Sequence, residues 1–187
     1  MPPMKRGANV ALTREIPSLT GVVVGVRWDA GREHVLEANL VMATLLCDRP
    51  NHAISDDHFV FFNQLSSPDL SVHQLESALA GDKEQIEIDL ATVPAEVTRI
   101  VIAVYVNDGP GARRTLGQLR SCTVRVLNRA DHAELVTSED LAPALSLETA
   151  LTLGEMYRHE GGWKFKVLGQ GYADGITALA RDFGLSL

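Results

Sequence analysis

The sequence predicts a mainly β protein: an antiparallel two-sheet β-sandwich with a few peripheral helices, including a C-terminal helix. Three observations lead there. Apolar and polar residues alternate with period 2 in several separate stretches. Helical periodicity is strong in one place, near the C-terminus. No 20–50-residue repeat and no low-complexity linker divides the 187 residues. Residues 1–187 are therefore expected to form a single domain, with residues 1–6 as an N-terminal tail.

The elements follow in chain order. Leu75, Ala78 and Leu79 suit one helical turn that Gly81 ends. Gln85-Ile86-Glu87-Ile88-Asp89-Leu90 alternates cleanly, so Ile86, Ile88 and Leu90 share the buried face of a strand. Pro94, in the link Thr92-Val93-Pro94-Ala95, stops that strand. Ile100-Val101-Ile102-Ala103-Val104-Tyr105-Val106 is apolar on both faces, the mark of a central strand. A short helix is expected around Ala112 to Leu119, after Gly109-Pro110-Gly111. Cys122-Thr123-Val124-Arg125-Val126 alternates again and meets a turn, Asn128-Arg129-Ala130-Asp131, that leads into His132 to Thr137. Trp163, Phe165 and Val167 face one way while Lys164 and Lys166 face the other. Glu160-Gly161-Gly162 reads as the turn of a hairpin whose first arm is about Thr149 to Arg158. Tyr172, Ile176, Leu179 and Phe183 lie on one helical face, with Gly184 placed to end the helix.

Composition limits what such a sandwich could do. Hydrophobic residues make up 45% and charged residues 22%, which excludes a disordered chain, a collagen-like repeat and a disulfide scaffold. Seventeen basic against 24 acidic residues leave a net charge of −7. That sign argues against nucleic-acid binding and fits a cation-binding or merely well-solvated protein. Cys47 and Cys122 sit far apart in apolar stretches and read as reduced core residues of a cytoplasmic protein. The charged start, Met-Pro-Pro-Met-Lys-Arg-Gly, is followed by no apolar h-region. The apolar run from Val22 to Val26 is closed by Arg27 and Asp29, far short of the roughly 18 residues that a membrane helix needs. No membrane insertion is expected.

Catalytic motifs are absent from the sequence. Gly169-Gln170-Gly171-Tyr172-Ala173-Asp174-Gly175 has a strand before it and a helix after it, as a dinucleotide loop requires. Its third glycine comes one residue late, and too little chain follows for a second parallel strand, so it reads as a strand-to-helix turn. There is no Gly-x-Ser-x-Gly elbow, and no His or Asn is placed to pair with either cysteine. His34, His52, His58, His73, His132 and His159 are scattered without zinc-like spacing. The expected protein is not an enzyme. Oxygen ligands remain: Asp29, Glu37, Asp56, Asp57, Asp82 and Glu84, with Asn39 and Asn63 as neutral donors. Calcium needs 6–8 oxygens gathered where loops meet. Spacing alone does not distinguish such a site from a solvated acidic surface.

A set of ordered stretches adds to this reading. Gly7-Ala8-Asn9-Val10-Ala11-Leu12-Thr13, Val24-Gly25-Val26-Arg27-Trp28-Asp29, Phe59-Val60-Phe61-Phe62-Asn63-Gln64 and Ser66-Ser67-Pro68-Asp69 come first. Asp82-Lys83-Glu84-Gln85-Ile86, Val93-Pro94, Glu148-Thr149-Ala150, Gly154-Glu155-Met156-Tyr157-Arg158, Trp163-Lys164-Phe165 and Gly169-Gln170-Gly171 follow. Together, from about residue 6 to the C-terminus, they resemble the TerD family of tellurium-resistance and stress proteins. The resemblance implies one TerD-like β-sandwich domain with peripheral helices. It also implies a noncatalytic, calcium-binding stress protein of the bacterial cytoplasm.

The departures from the family pattern fall on acidic positions. An Asp-Leu-Asp-Ala-Ser-like strand becomes Val35-Leu36-Glu37-Ala38-Asn39, and a Ser-Asp-x-Asp-Phe stretch becomes Ser55-Asp56-Asp57-His58-Phe59. The glycine expected after Pro68-Asp69 is Leu70. An acidic, glycine-rich loop is replaced by His73-Gln74-Leu75-Glu76-Ser77-Ala78-Leu79-Ala80, and Lys83 stands where an acid is common. Calcium affinity tracks ligand charge and number, so such changes weaken a site. Two readings follow. One is a TerD-like stress protein whose Ca²⁺ site is weak or lost, with Glu37, Asp56, Asn63, Asp82 and Glu84 as remaining ligands. The other is a metal-free interaction module on the same sandwich that binds another protein, with Leu75 and Leu79 as exposed contacts.

Overall fold

The computed structural model describes residues 2–107 and 114–187. In chain order these residues form β1 (Asn9–Ala11), α1 (Leu12–Glu15), β2 (Gly21–Asp29), α2 (His34–Asn39), β3 (Leu40–Arg49), β4 (His52–Ala53), β5 (Phe59–Val60) and β6 (Val72–Gln74). There follow β7 (Glu84–Asp89), β8 (Arg99–Val106), β9 (Ser121–Asn128), β10 (Glu134–Thr137), β11 (Ala150–His159), β12 (Gly162–Val167), β13 (Gly171–Tyr172) and α3 (Gly175–Asp182). The larger sheet has the order β1-β12-β11-β8-β3-β4, with β13 added on β11 and β5 on β3. The smaller has the order β10-β9-β2-β7-β6, and every strand pair in both sheets is antiparallel.

The side-chain pattern explains why there are three layers. In β8, Ile100, Ile102 and Val104 face the smaller sheet and pack with Val24, Val26, Ile86, Ile88, Val124 and Val126. Its other face, Val101, Ala103 and Tyr105, joins Ala43, Leu45 and Cys47 of β3 beneath Leu179, Ala180 and Phe183 of the α3 region. A strand apolar on both faces must be covered on both, and α3 supplies the second cover. The alternating strands behave as their pattern requires: Ile86, Ile88 and Leu90 are buried, as are Trp163, Phe165 and Val167. Cys47 and Cys122 are free and buried, and burial pushes both thiols up to about 12, so neither offers a reactive thiolate.

The turns match their residues. Glu160 and Gly161 link β11 to β12 with φ of 49° and 81°, the two successive positive values of a type I′ hairpin. Gly184 has φ 76° and closes α3: its N–H donates to Arg181 O (3.1 Å), and Leu185 N–H donates to Ala180 O (2.8 Å). That pair of bonds satisfies the last helical carbonyls in the Schellman manner.

Three expectations are corrected. Residues 75–79 form no helical turn; the N–H of Leu75 donates to Gln85 O and that of Leu79 to Gln85 Oε1, so these amides bond across to β7 instead of back along a helix. The segment Val35-Leu36-Glu37-Ala38-Asn39 is not a strand but lies in α2, where Leu36 is the fully buried anchor. The expected tail is tied down from Met4, whose N–H and C=O bond Thr137 O and Glu139 N at 2.8 Å each. Of the helix expected around Ala112 to Leu119, residues 112 and 113 lie outside the described residues, and the rest contains one 3-10 turn, Leu116–Gln118. Among the described residues, no helix is long and apolar enough to cross a membrane.

The outer layer rests on few side chains, and Leu179 is fully buried among them. Leu179→Ala should destabilise the protein by about 2–5 kcal/mol through lost transfer energy and the cavity left behind. Urea unfolding followed by circular dichroism measures this, and a loss below about 1 kcal/mol would mean that α3 is not an integral layer.

Candidate functional site

The five acidic and amide candidates do not come together as one cage. Glu37, Asp82 and Glu84 belong to the region where α2, β3 and the start of β7 meet. Asp56 and Asn63 lie in the segment around β5. Four of the five have distinct partners, and the Asn63 side chain has none among the described residues.

Asp82 is the most constrained. Ala80 and Gly81, with φ of 56° and 87°, form a tight turn closed by Asp82 N–H donating to Leu79 O at 3.3 Å. The turn lays the Asp82 carboxylate over the outer face of the smaller sheet, where its side chain has no solvent exposure. Asp82 Oδ1 accepts Arg27 Nε–H and Arg125 Nε–H at 2.8 Å each, and Oδ2 accepts Gln85 Nε2–H at 2.6 Å. Both guanidiniums also donate to Ala80 O, at 2.5 and 3.3 Å. The floor beneath is Gly25, which pairs with Gln85 on one side and Arg125 on the other. A Cβ there would lie 2.0 Å from Asp82 Oδ2, so only glycine leaves room for the carboxylate.

Glu37, on α2, has its Oε1 2.6 Å from Lys83 Nζ, with both side chains partly exposed. Lys83 thus occupies the place of a cation beside this carboxylate. Glu84 lies on the inner side of the next residue. Its Oε2 accepts the backbone N–H of Met42 at 2.6 Å, joining β7 of one sheet to β3 of the other. Burial pushes the Glu84 carboxyl above its ordinary value of 4.5, and the Met42 N–H opposes that rise. Asp56 begins a 3-10 turn and accepts Ser186 N–H at 3.1 Å, which pins the C-terminal segment. Asn63 is exposed in the turn between Phe61 and Gln64.

Calcium requires 6–8 oxygens converging at one point. Here Asp82 faces two guanidiniums, Glu37 faces an ammonium, and Glu84 is spent on a backbone amide. As arranged, this donor set does not fit a calcium cage. Among the described residues, no group of three or more His, Cys, Asp or Glu side chains is gathered to hold a metal ion. The histidines have separate partners: His52 pairs with Asp48, His58 with Ser55, and His73 with Ser66.

The residues that sequence reading missed are Arg27, Arg125, Gln85 and Gly25. Arg125 stands in the middle of an alternating strand and Gly25 within an apolar run, and both signals are visible in the sequence. Their convergence on Asp82 depends on strand register across β7, β2 and β9, which the sequence does not state.

Three outcomes follow. Asp82→Ala leaves two guanidiniums facing each other, one of them on the buried Arg125, and should cost about 3–5 kcal/mol in a denaturant melt. Glu37→Gln breaks a partly exposed pair and should cost less than about 1 kcal/mol. The third outcome concerns pH. Glu84 binds its proton more tightly folded than unfolded, so its contribution to stability is full below 4.5 and is lost as pH rises through its elevated folded value. Glu84→Gln should remove that decline. Melting curves of both proteins from pH 4 upward (roughly one step per half unit) measure it, and parallel profiles would show that Glu84 is not the group responsible.

Comparison with known proteins fits this architecture. The TerD domain family matches residues 2–183. The tellurium resistance protein TerD of Serratia marcescens is 35% identical over 98% of this chain and 97% of its own length. General stress protein 16U of Bacillus subtilis is 34% identical with the same two coverages, 98% and 97%. The crystal structure of a Streptomyces coelicolor homologue of the telluride resistance protein superposes with a TM-score of 0.63 at 20% identity, covering 87% of this chain and 96% of that one. That likeness concerns the fold. With the domain match spanning nearly its whole length, the chain belongs to the TerD family.

Proposed function

We propose that this chain is a non-enzymatic stress-response protein of the tellurium-resistance type, acting in the bacterial cytoplasm, whose inherited calcium site is weakened or lost. The resistance and stress names of its full-length relatives support the first part. The observation that carries the second is the Lys83–Glu37 contact at 2.6 Å: an internal ammonium neutralises a carboxylate that a bound cation would otherwise use. The clamp of Arg27 and Arg125 on Asp82 acts in the same direction. A divalent ion would have to displace these groups as well as shed its own water.

A second reading, a metal-free module that binds another protein, is favoured by one feature. Leu79 is 53% exposed at the tip of the β6–β7 loop. It borders a hollow of about 130 Å³ whose walls include Leu75, Val23 and Leu127.

Calcium-dependent melting tests the first reading and separates it from the second. With a dissociation constant on the order of 10 mM, 0.5 mM Ca²⁺ stabilises by less than about 0.1 kcal/mol, so the melting temperature should barely move. Lys83→Glu, which removes the ammonium and adds a carboxylate, should produce a measurable upward shift at the same concentration. A large shift in the unaltered protein would overturn the weakened-site reading. No shift in the variant would favour the metal-free module.

A further inference from the structure

The outer face of the larger sheet carries a second candidate site, on the opposite side of the molecule from Asp82. Beside the C-terminal end of α3, a cleft of about 340 Å³ opens between the sheet and the Gly169–Gln170 turn. Arg6, Arg99 and Lys166 line it, against a single carboxylate, Glu155. Three cations around one acid is a marked local excess in a chain whose net charge is −7.

The pairing within the cleft leaves positive charge to spare. Lys166 is the cross-strand partner of Glu155 in the β11–β12 register, the position from which an opposite-charge pair normally forms. Arg99 takes that carboxylate instead, with Nη1 2.7 Å from Glu155 Oε1, and its guanidinium lies 5.5 Å from the Tyr157 ring centre. Arg99 is thereby held in place and Glu155 neutralised. Among the described residues, neither Lys166 nor the Arg6 side chain makes an ion pair. The backbone N–H groups of Gly169 and Gln170, on the rim beside Arg6, likewise donate to no acceptor among the described residues. The apolar part of the lining comes from Val101, Leu168 and Phe183.

We propose that this cleft binds a small organic phosphate, with the phosphate held by Arg6 and Lys166 and the organic body lying against Val101, Leu168 and Phe183. Guanidinium and ammonium groups beside free backbone amides are the donor set for a phosphate oxyanion, in which arginine contributes a planar fork and lysine a point charge. The cleft volume lies in the range of small-molecule sites and exceeds what a bare phosphate needs. The apolar wall supplies the remainder. This site is independent of whether the acidic region on the other side of the molecule binds calcium.

The test is an amide-resolved NMR titration of the full chain with inorganic phosphate, phenyl phosphate and phenol, at constant ionic strength set by chloride. Both phosphates should give saturable shifts centred on Gly7, Gly169 and Gln170, with phenyl phosphate binding at least about 3-fold more tightly than phosphate. Lys166→Gln and Arg6→Gln should each weaken phenyl phosphate binding at least about 5-fold, whereas Lys166→Arg retains it. Both positions are solvent-accessible, and unchanged melting of each variant confirms that it is folded. Shifts that do not saturate, that survive in both glutamine variants, or that chloride reproduces would overturn the site. Equal affinity for phosphate and phenyl phosphate, or comparable binding of phenol, would overturn the assignment of an organic phosphate.

Discussion

The two-sided apolar character of β8 and β3 is the constraint from which the rest of the architecture follows. Ile100, Ile102 and Val104 need a partner sheet, while Val101, Ala103 and Tyr105 need something on the other side. The smaller sheet meets the first need and α3 the second. Because α3 is eight residues long, it covers only part of the outer face. The strands beyond it, β11 and β12, therefore carry charge on that face: Glu155, Lys164 and Lys166 alternate with Phe165 and Val167, which point inward. The basic cleft lies at this boundary between covered and uncovered sheet.

The smaller sheet solves a different problem. Among the described residues no helix covers its outer face, and the β6–β7 loop folds back over part of it. Asp82 holds that loop by drawing two guanidiniums from neighbouring strands onto one carboxylate. Burying charge in this way is costly unless every partner is present. Here Arg27, Arg125, Gln85 and the missing side chain of Gly25 are all present, so the network is closed. A carboxylate so engaged serves as an anchor of the loop. In the same region Lys83 balances Glu37 internally.

Parts of the candidate site were legible from the chain alone, and for identifiable reasons. Glu37, Asp82, Lys83 and Glu84 were visible as charged residues of one region, but the 2.6 Å contact of Lys83 with Glu37 was not. That Glu84 would turn inward and accept an amide from Met42 was not visible, because it depends on two sheets meeting. The helical turn expected at Leu75, Ala78 and Leu79 illustrates the same limit. Local spacing favoured it, but Gln85 offered those amides better-placed acceptors from the adjacent strand.

What the sequence determined by itself was whatever depends on near neighbours along the chain. Period-2 alternation defined the strands, the two-faced run of β8 defined a central strand, and Gly184 defined the end of α3. An ordered series of short stretches defined the family. What only the tertiary structure decided was which charges meet. Arg27, Asp82 and Arg125 are separated by 55 and 43 residues, and Arg99 reaches Glu155 across 56. Opposite charges pair according to register and burial, and both are set by how two sheets and a helix pack, long after local pattern has done its part.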